Sequence, residues 1–283
     1  MANIISERLI WISALCCCPL LAGFLVQDTR IVITPQVHSN IAYLNISALP
    51  KDRFLVQFPE IIHDDSHFLL GQENPSYSSD SVTWRQAAAG GWITAYRQSG
   101  LGSYTISLSP HGDHIDMEWR VQNLTTKPWI YVAATPHIAF TEAPDFEDRE
   151  QERTFIRVDS QWVPINQTDR SDGRLTTQWY IVKGHRPSKM MGKRPHKDNA
   201  WGESTDQPDN SLVAVVSRDG HWVFGEAFQD AQYICLNAPA CIHPAAFLGD
   251  LGPQEQHRMR GELYLLHGSL DDLLMRYSHD FGQ

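Results

Sequence analysis

The ionisable residues with the clearest chemical opportunity are two histidines. His137 ends the apolar run WIYVAATPH, where an imidazole needs a polar purpose, and His243 follows Cys241 in CIHPAAF. Imidazoles titrate near neutral pH, so such a pair can supply an acid and a base to one substrate. The alternative for each is a hydrogen-bonded structural ring. Three kinds of candidate binding group accompany them. Trp201, in NAWGES, offers an aromatic face. Arg85, in VTWRQ, offers a guanidinium. The stretch KGHRPSKMMGKRPHK (183–197) gathers cations, with Lys193 and Arg194 adjacent. Arg pairs with carboxylate or sulfate through its fork and Lys acts as a point charge, so this stretch is a candidate anion-attracting flap. The other reading is a solvated flap balanced by the acidic run TEAPDFEDREQE (141–152).

These residues must be held by something, and the chain has the material for it. Of 283 residues, 42% are hydrophobic and 20% charged, which excludes a disordered chain. Lys and Arg total 23 against 33 Asp and Glu, a net charge of −10. That balance argues against nucleic acid or an anionic membrane surface as partner. The pattern after residue 29 is β. In HIDMEWRV, Ile115, Met117, Trp119 and Val121 share one face while Asp116, Glu118 and Arg120 share the other, as in a half-buried antiparallel strand. Further strands are expected at 30–37, 92–96, 103–108, 129–134, 154–158, 178–182, 212–217, 222–227, 231–236 and 260–266, separated by turn signals. Ser269 and Asp272 form a capping box ahead of Leu270, Leu273, Leu274 and Tyr277, which predicts one short C-terminal helix. The expectation is all-β: a large antiparallel β-sandwich with one terminal helix. Trp92, Trp119, Trp129 and Trp222 are expected in its core. The sequons at Asn45, Asn123 and Asn166 read as polar turn residues.

Residues 9–26 (LIWISALCCCPLLAGFLV) carry no charge. The length reaches a membrane span, but Pro19 and Gly23 make a poor helix, and a signal peptide fits the position. The organisation expected is a leader or anchor over 1–26 and one domain over 27–283, exported, with any membrane contact through that leader. Three of the five cysteines, Cys16, Cys17 and Cys18, lie there. Cys235 and Cys241 remain as a pair able to close a small disulfide loop in an oxidising compartment, or to stay as buried thiols. No C-x-x-C or zinc-type spacing is present, nor a P-loop, G-x-G-x-x-G, G-x-S-x-G or H-E-x-x-H. No cofactor and no metal are therefore expected.

Two stretches resemble the galactose mutarotase-like family of β-supersandwiches, which includes aldose 1-epimerases. One is HIDMEWRVQNLTTKPWIYVAATPHIAF (114–140), where a V-x-N strand end and short turn lead to a strand closing in His137 and Phe140. The other is YICLNAPACIHPAAFLGDLGPQEQHRMRGELYLL (233–266), whose Leu251, Gly252, Pro253, Gln254 and Glu255 match the family's late turn. The resemblance implies a saccharide held on the concave sheet. In the family a late glutamate removes the anomeric proton, and Asn237 stands at that position here. A carboxamide binds a sugar but takes no proton near neutral pH. Glu142 or Asp250 are the carboxylates considered in its stead. The leading reading is a carbohydrate-active isomerase, lyase or hydrolase, with His137 at the position of a family histidine and His243, near Asn237, taking a new role as its partner. The alternative is a non-catalytic carbohydrate-binding or envelope domain with Asn237 in the place of the lost base.

If 9–26 is a cleaved leader, protein recovered from its host should begin after Ala22. N-terminal sequencing of the soluble fraction checks this, and an intact Met1 in the membrane fraction would indicate an anchor.

Overall fold

The computed structural model describes residues 30–169, 177–190, 202–237 and 241–282. The leader with Cys16, Cys17 and Cys18, and the candidates Lys193, Arg194 and Trp201, lie outside the described residues. The described strands, in chain order, are β1 (Ile31–Pro35), β2 (Ile41–Ile46), β3 (Arg53–His63), β4 (Phe68–Gly71), β5 (Thr83–Gln86), β6 (Trp92–Gln98), β7 (Gly102–His111), β8 (His114–Asn123) and β9 (Trp129–Ala139). They continue with β10 (Thr154–Val158), β11 (Gln161–Pro164), β12 (Gln178–Ile181), β13 (Gly202–Glu203), β14 (Val213–Val216), β15 (Trp222–Phe228), β16 (Ala231–Asn237), β17 (Cys241–Leu251) and β18 (Gln256–His267), followed by helix α1 (Leu270–Phe281).

Two nine-stranded sheets face each other. The first runs β1-β2-β3-β9-β17-β16-β12-β13, with β4 attached to β3, and the second runs β11-β10-β14-β15-β18-β8-β7-β6-β5. All pairings are antiparallel except β12 with β13. Alternation along each strand sends one row of side chains into the space between the sheets. On β8 that row is Ile115, Met117, Trp119 and Val121, as the pattern predicts. Trp119 is fully buried, meeting Phe58 of the first sheet and Phe228 of the second edge-to-face at 5.9 and 5.5 Å. Trp129 and Trp222 are buried as expected, and Trp92 is half-buried against the same core. α1 covers the outer face of the second sheet, laying Leu273 and Tyr277 on Leu212, Val223 and Tyr264. The Ser269–Asp272 capping box starts it as predicted.

The predicted strands are present, and the structure adds β2, β3, β4, β5, β11, β13 and β17. Two of these matter most. β3 and β17 contain Pro59 and Pro244, and proline, lacking a ladder donor, argues against a central strand. Both are nonetheless central, on either side of β9. Asn123 is a structural residue, as the turn reading expects. Its amide donates to the carbonyls of Lys127, Leu251 and Gly252, and its carbonyl accepts from the Thr125 N–H. The acidic run is not a solvated counterweight either. Ala143 and Phe146 plug the core, and Asp148 accepts from the backbone of Glu152 and Arg153.

Two glutamates lie deep in the second sheet. Glu226 points between the sheets, and both of its carboxylate oxygens lack a hydrogen-bond partner among the described residues, so burial holds it well above the usual carboxylate range. Glu262, buried on β18, faces Asp116 across the ladder. Burial and that neighbouring carboxylate push it up to about 9. An acid raised by folding favours the native state below its unfolded pKa. That contribution is lost as pH climbs from about 4.5 to about 9. Glu262→Gln should therefore flatten the fall in melting temperature across this window and leave the protein more stable than the parent at pH 9. Thermal melts at pH 5, 7 and 9 check it.

Candidate functional site

The register of the first sheet assembles the site. β9 and β17 keep a constant offset from the Cys241–Ala139 pair to the Ala246–Ala134 pair, which sets His243 opposite His137. On the other side of β17, His243 pairs with Cys235 of β16, and Cys235 with Trp179 of β12. One row thus crosses four strands on the face turned away from the second sheet. A neighbouring row adds Asn237 opposite Cys241. Trp179, Ile181, Tyr233, Cys235, Ala133 and Ala245 form a small apolar patch on this face. Trp179 and Tyr233 meet nearly edge-to-face at 4.7 Å.

The carboxylate of the site is Glu60. Between the pairs Gln57–His137 and Ile61–Thr135, β3 advances four residues while β9 advances two. The surplus chain bulges and carries Glu60 toward the histidines. Two residues after β3 turns back through β4 hold it there. Gly71 has φ +97°, and a Cβ at that position would sit 2.2 Å from the Glu60 carbonyl oxygen, so only glycine fits. The Gln72 side-chain amide donates to Glu60 Oε1 at 2.5 Å. Proline in β3 conceals this strand from pattern reading, and a two-residue bulge depends on a partner far along the chain. The only sequence signal was a glutamate within an apolar run, FPEIIH.

The polar contacts set the tautomers. His243 Nδ1 lies 3.1 Å from the Cys235 carbonyl, which can only accept, so Nδ1 carries the hydrogen. With both rings neutral, His243 Nε2 accepts from His137 Nδ1 at 3.1 Å. Glu60 stands 3.7 Å from His137 Nδ1 and 3.5 Å from His243 Nε2. One added proton makes His243 a double donor facing that carboxylate. The two rings are thus hydrogen-bonded to each other, and the Glu60 carboxylate stands just beyond them as a neighbouring charge. Their side chains are 25% exposed for His137, 14% for Glu60 and 4% for His243, so the ring on β9 is the one most open to a ligand. Beside them, His63 Nδ1 donates to the Asp64 carbonyl and Nε2 accepts from the Tyr233 hydroxyl at 3.0 Å. A half-open pocket lined by Glu60, Thr135, Trp179, Tyr233, Asn237 and His243 has a floor of about 30 Å³. A water needs roughly 10–15 Å³, so the floor takes a hydroxyl group or a small ion and not a whole sugar ring.

The structure places His137, His243 and Asn237 on neighbouring rows of one face, and other candidates elsewhere. Arg85 is exposed on β5, the edge strand of the opposite sheet, away from this face. Glu142 pairs with Arg53 at 2.9 Å and Asp250 accepts the Tyr131 N–H, so neither is the site carboxylate. Cys235 and Cys241 form no disulfide. The hairpin pairs Cys235 with His243 and Cys241 with Asn237, two positions out of step, and such diagonal neighbours sit roughly 7–8 Å apart, beyond disulfide reach. Instead the Cys235 thiol donates to Asn237 Oδ1, and the Asn237 side chain also hydrogen-bonds Cys241. The described part of the basic stretch is paired by acids outside 141–152: Lys183 with Asp159 and Asp209, Arg186 and Lys189 with Asp65. Arg186 beside Asp65 holds that carboxyl well below its usual range.

Two clusters have donor atoms close enough for a metal ion: His137, Cys241 and His243, and His114, Asp116 and Glu262. Over the second lies the Arg276 guanidinium, 3.0 Å from the His114 ring, a fixed positive charge that opposes another cation.

Burial pushes the Cys241 thiol up to about 12. Native protein at pH 8 should therefore alkylate far more slowly at Cys241 than denatured protein, with the native rate rising as pH increases. Peptide mapping should recover both Cys235 and Cys241 as thiols without reductant.

No family model matches the chain, and no curated protein matches it. Among solved structures it is similar to a galactose mutarotase related enzyme from Lactobacillus acidophilus, with 9% identity over 85% of this chain and 98% of the other and a TM-score of 0.48. It is also similar to a galactose mutarotase-like protein from Clostridium acetobutylicum, with 11% identity, 85% and 94% covered and a TM-score of 0.44. A third is a galactose 1-epimerase from Lactobacillus acidophilus NCFM, at 8% identity, 84% and 98% covered and a TM-score of 0.42. Likeness at this level says nothing of chemistry, which rests on the pocket itself. The chain has the all-β sandwich expected from the sequence, and its fold is similar to that of galactose mutarotase-like structures.

Proposed function

We propose that the protein binds a saccharide on the outer face of the first sheet and transfers protons on it through Glu60, His137 and His243. The observation that carries this reading is the convergence of one carboxylate and two imidazoles within 3.1–3.7 Å of each other. The sequence resemblance supplies the substrate class. The small floor of the half-open pocket favours entry of one hydroxyl edge, with the ring lying in its mouth against Trp179 and Tyr233. Glu60 offers the base that Asn237 cannot, and it reaches the site from a different strand. Asn237 is instead held by two thiols, which supports a positioning role over direct proton transfer.

The second reading, binding without turnover, draws on Asn237 standing where the resembled family has a glutamate. Export through 9–26 belongs to the same proposal and is supported by that uncharged apolar run; no helix among the described residues is long and apolar enough to cross a membrane. A preference for anionic saccharides would rest on Lys193 and Arg194, since Lys183, Arg186 and Lys189 are held by aspartates.

Glu60→Gln and His137→Ala should each lower turnover of a responsive glycan or aldose by about 10²–10⁴, with melting temperature and binding retained. A glycan panel read for both binding and anomeric exchange checks it. Binding without exchange in the parent selects the second reading, and unchanged turnover in both variants removes the proton-transfer assignment.

A further inference from the structure

We propose that His137, Cys241 and His243 form a binding site for a zinc-class divalent cation, with the Glu60 carboxylate beside it. The inference goes beyond the saccharide reading and does not need it. One donor atom from each of the three residues lies within 4.8 Å of the others. The two ring nitrogens are 3.1 Å apart. A tetrahedral ion with metal–nitrogen bonds of about 2.0–2.1 Å holds two nitrogens about 3.3 Å apart, so the rings need only slight separation to receive one. The Glu60 carboxylate lies 3.7 Å from His137 Nδ1 and 3.5 Å from His243 Nε2, and its negative charge favours a cation there. Two imidazoles and a thiolate suit Zn²⁺ and disfavour Mg²⁺ or Ca²⁺, which require oxygen donors.

The surrounding contacts are those that fix metal ligands. A ligating histidine usually donates its second N–H to a carbonyl or carboxylate, which sets the ring and its tautomer. His243 does this to the Cys235 carbonyl, directing Nε2 at the cluster. Cys241 is hydrogen-bonded by the side chain of Asn237, the residue opposite it in the ladder. On binding, the Cys241 thiol proton passes to solvent and His137 moves its hydrogen from Nδ1 to Nε2, leaving both donors as lone pairs. The ion and the proton-transfer chemistry use the same lone pairs, so a saturating ion would silence histidine catalysis in this pocket.

The test uses the full chain with Cys16, Cys17 and Cys18 replaced by Ser, stripped with a chelator and titrated with Co²⁺. The expected result is one Co²⁺ per chain, a thiolate-to-cobalt charge-transfer band with tetrahedral visible bands, and displacement of both by Zn²⁺. Cys241→Ser should abolish the charge-transfer band while Cys235→Ser keeps it. Asn237→Ala should weaken binding by about 10–100-fold. Circular dichroism confirms that each variant folds, and Zn²⁺ protection of Cys241 from alkylation gives a readout in the parent sequence. The proposal is overturned if Co²⁺ gives no band, if the band survives Cys241→Ser, or if Zn²⁺ leaves Cys241 alkylation unchanged. None of these measurements involves a sugar, so failure here leaves the saccharide reading standing, and the reverse also holds.

Discussion

The antiparallel register between β9 and β17 is the constraint on which the site depends. Side chains alternate across a strand, so a slip of one residue would send His243 into the core and bring Ile242 out to the pocket. The register is held from both directions. Ile138 and Ile242, neighbours of the two histidines, are buried in the inter-sheet core and would have to surface if the strands slid. At the far end, Asn123 ties the carbonyls of Leu251 and Gly252, where β17 ends, to the turn that leads into β9. The apolar face thus decides where the polar face meets.

Within that frame the irregular strand supplies what regular strands cannot. A side chain on β3 in continuous register would face Gln57 or Ile61 toward β9 and leave the imidazoles without a carboxylate. Two additional residues bring Glu60 into play, and Gly71 and Gln72 hold its backbone and its oxygens from the next strand. The site is consequently a meeting of three strands remote in sequence, each carrying a proline: Pro59, Pro136 and Pro244. Its protonation is a property of the set: moving a hydrogen on one ring changes what its neighbours accept or donate.

Charge is distributed with the same economy. The cations of the stretch after β12 are fixed by Asp65, Asp159 and Asp209, and Arg186 also lies 4.0 Å over the Tyr131 ring. This part of the stretch fastens the chain across the end of the sheet. It does not present a uniform positive field, because each described cation has an adjacent anion.

The sequence by itself determined the class of fold, the strands with unbroken alternation such as HIDMEWRV and the capped terminal helix, and it singled out His137 and His243 as candidates. Those signals are local: period-two patterning, a capping box, and ionisable residues at the ends of apolar strands. Only the tertiary structure decided the rest. Glu60 enters through a bulge whose geometry exists only against β9. The thiols of Cys235 and Cys241, near in sequence, are kept apart by hairpin register, while Cys241 and His137, about a hundred residues apart, are brought to one point. Arg85, plausible by type, is carried to the edge of the other sheet. Proximity across strands is set by register and sheet order, and these follow from burying the two inner faces together, which no local pattern encodes.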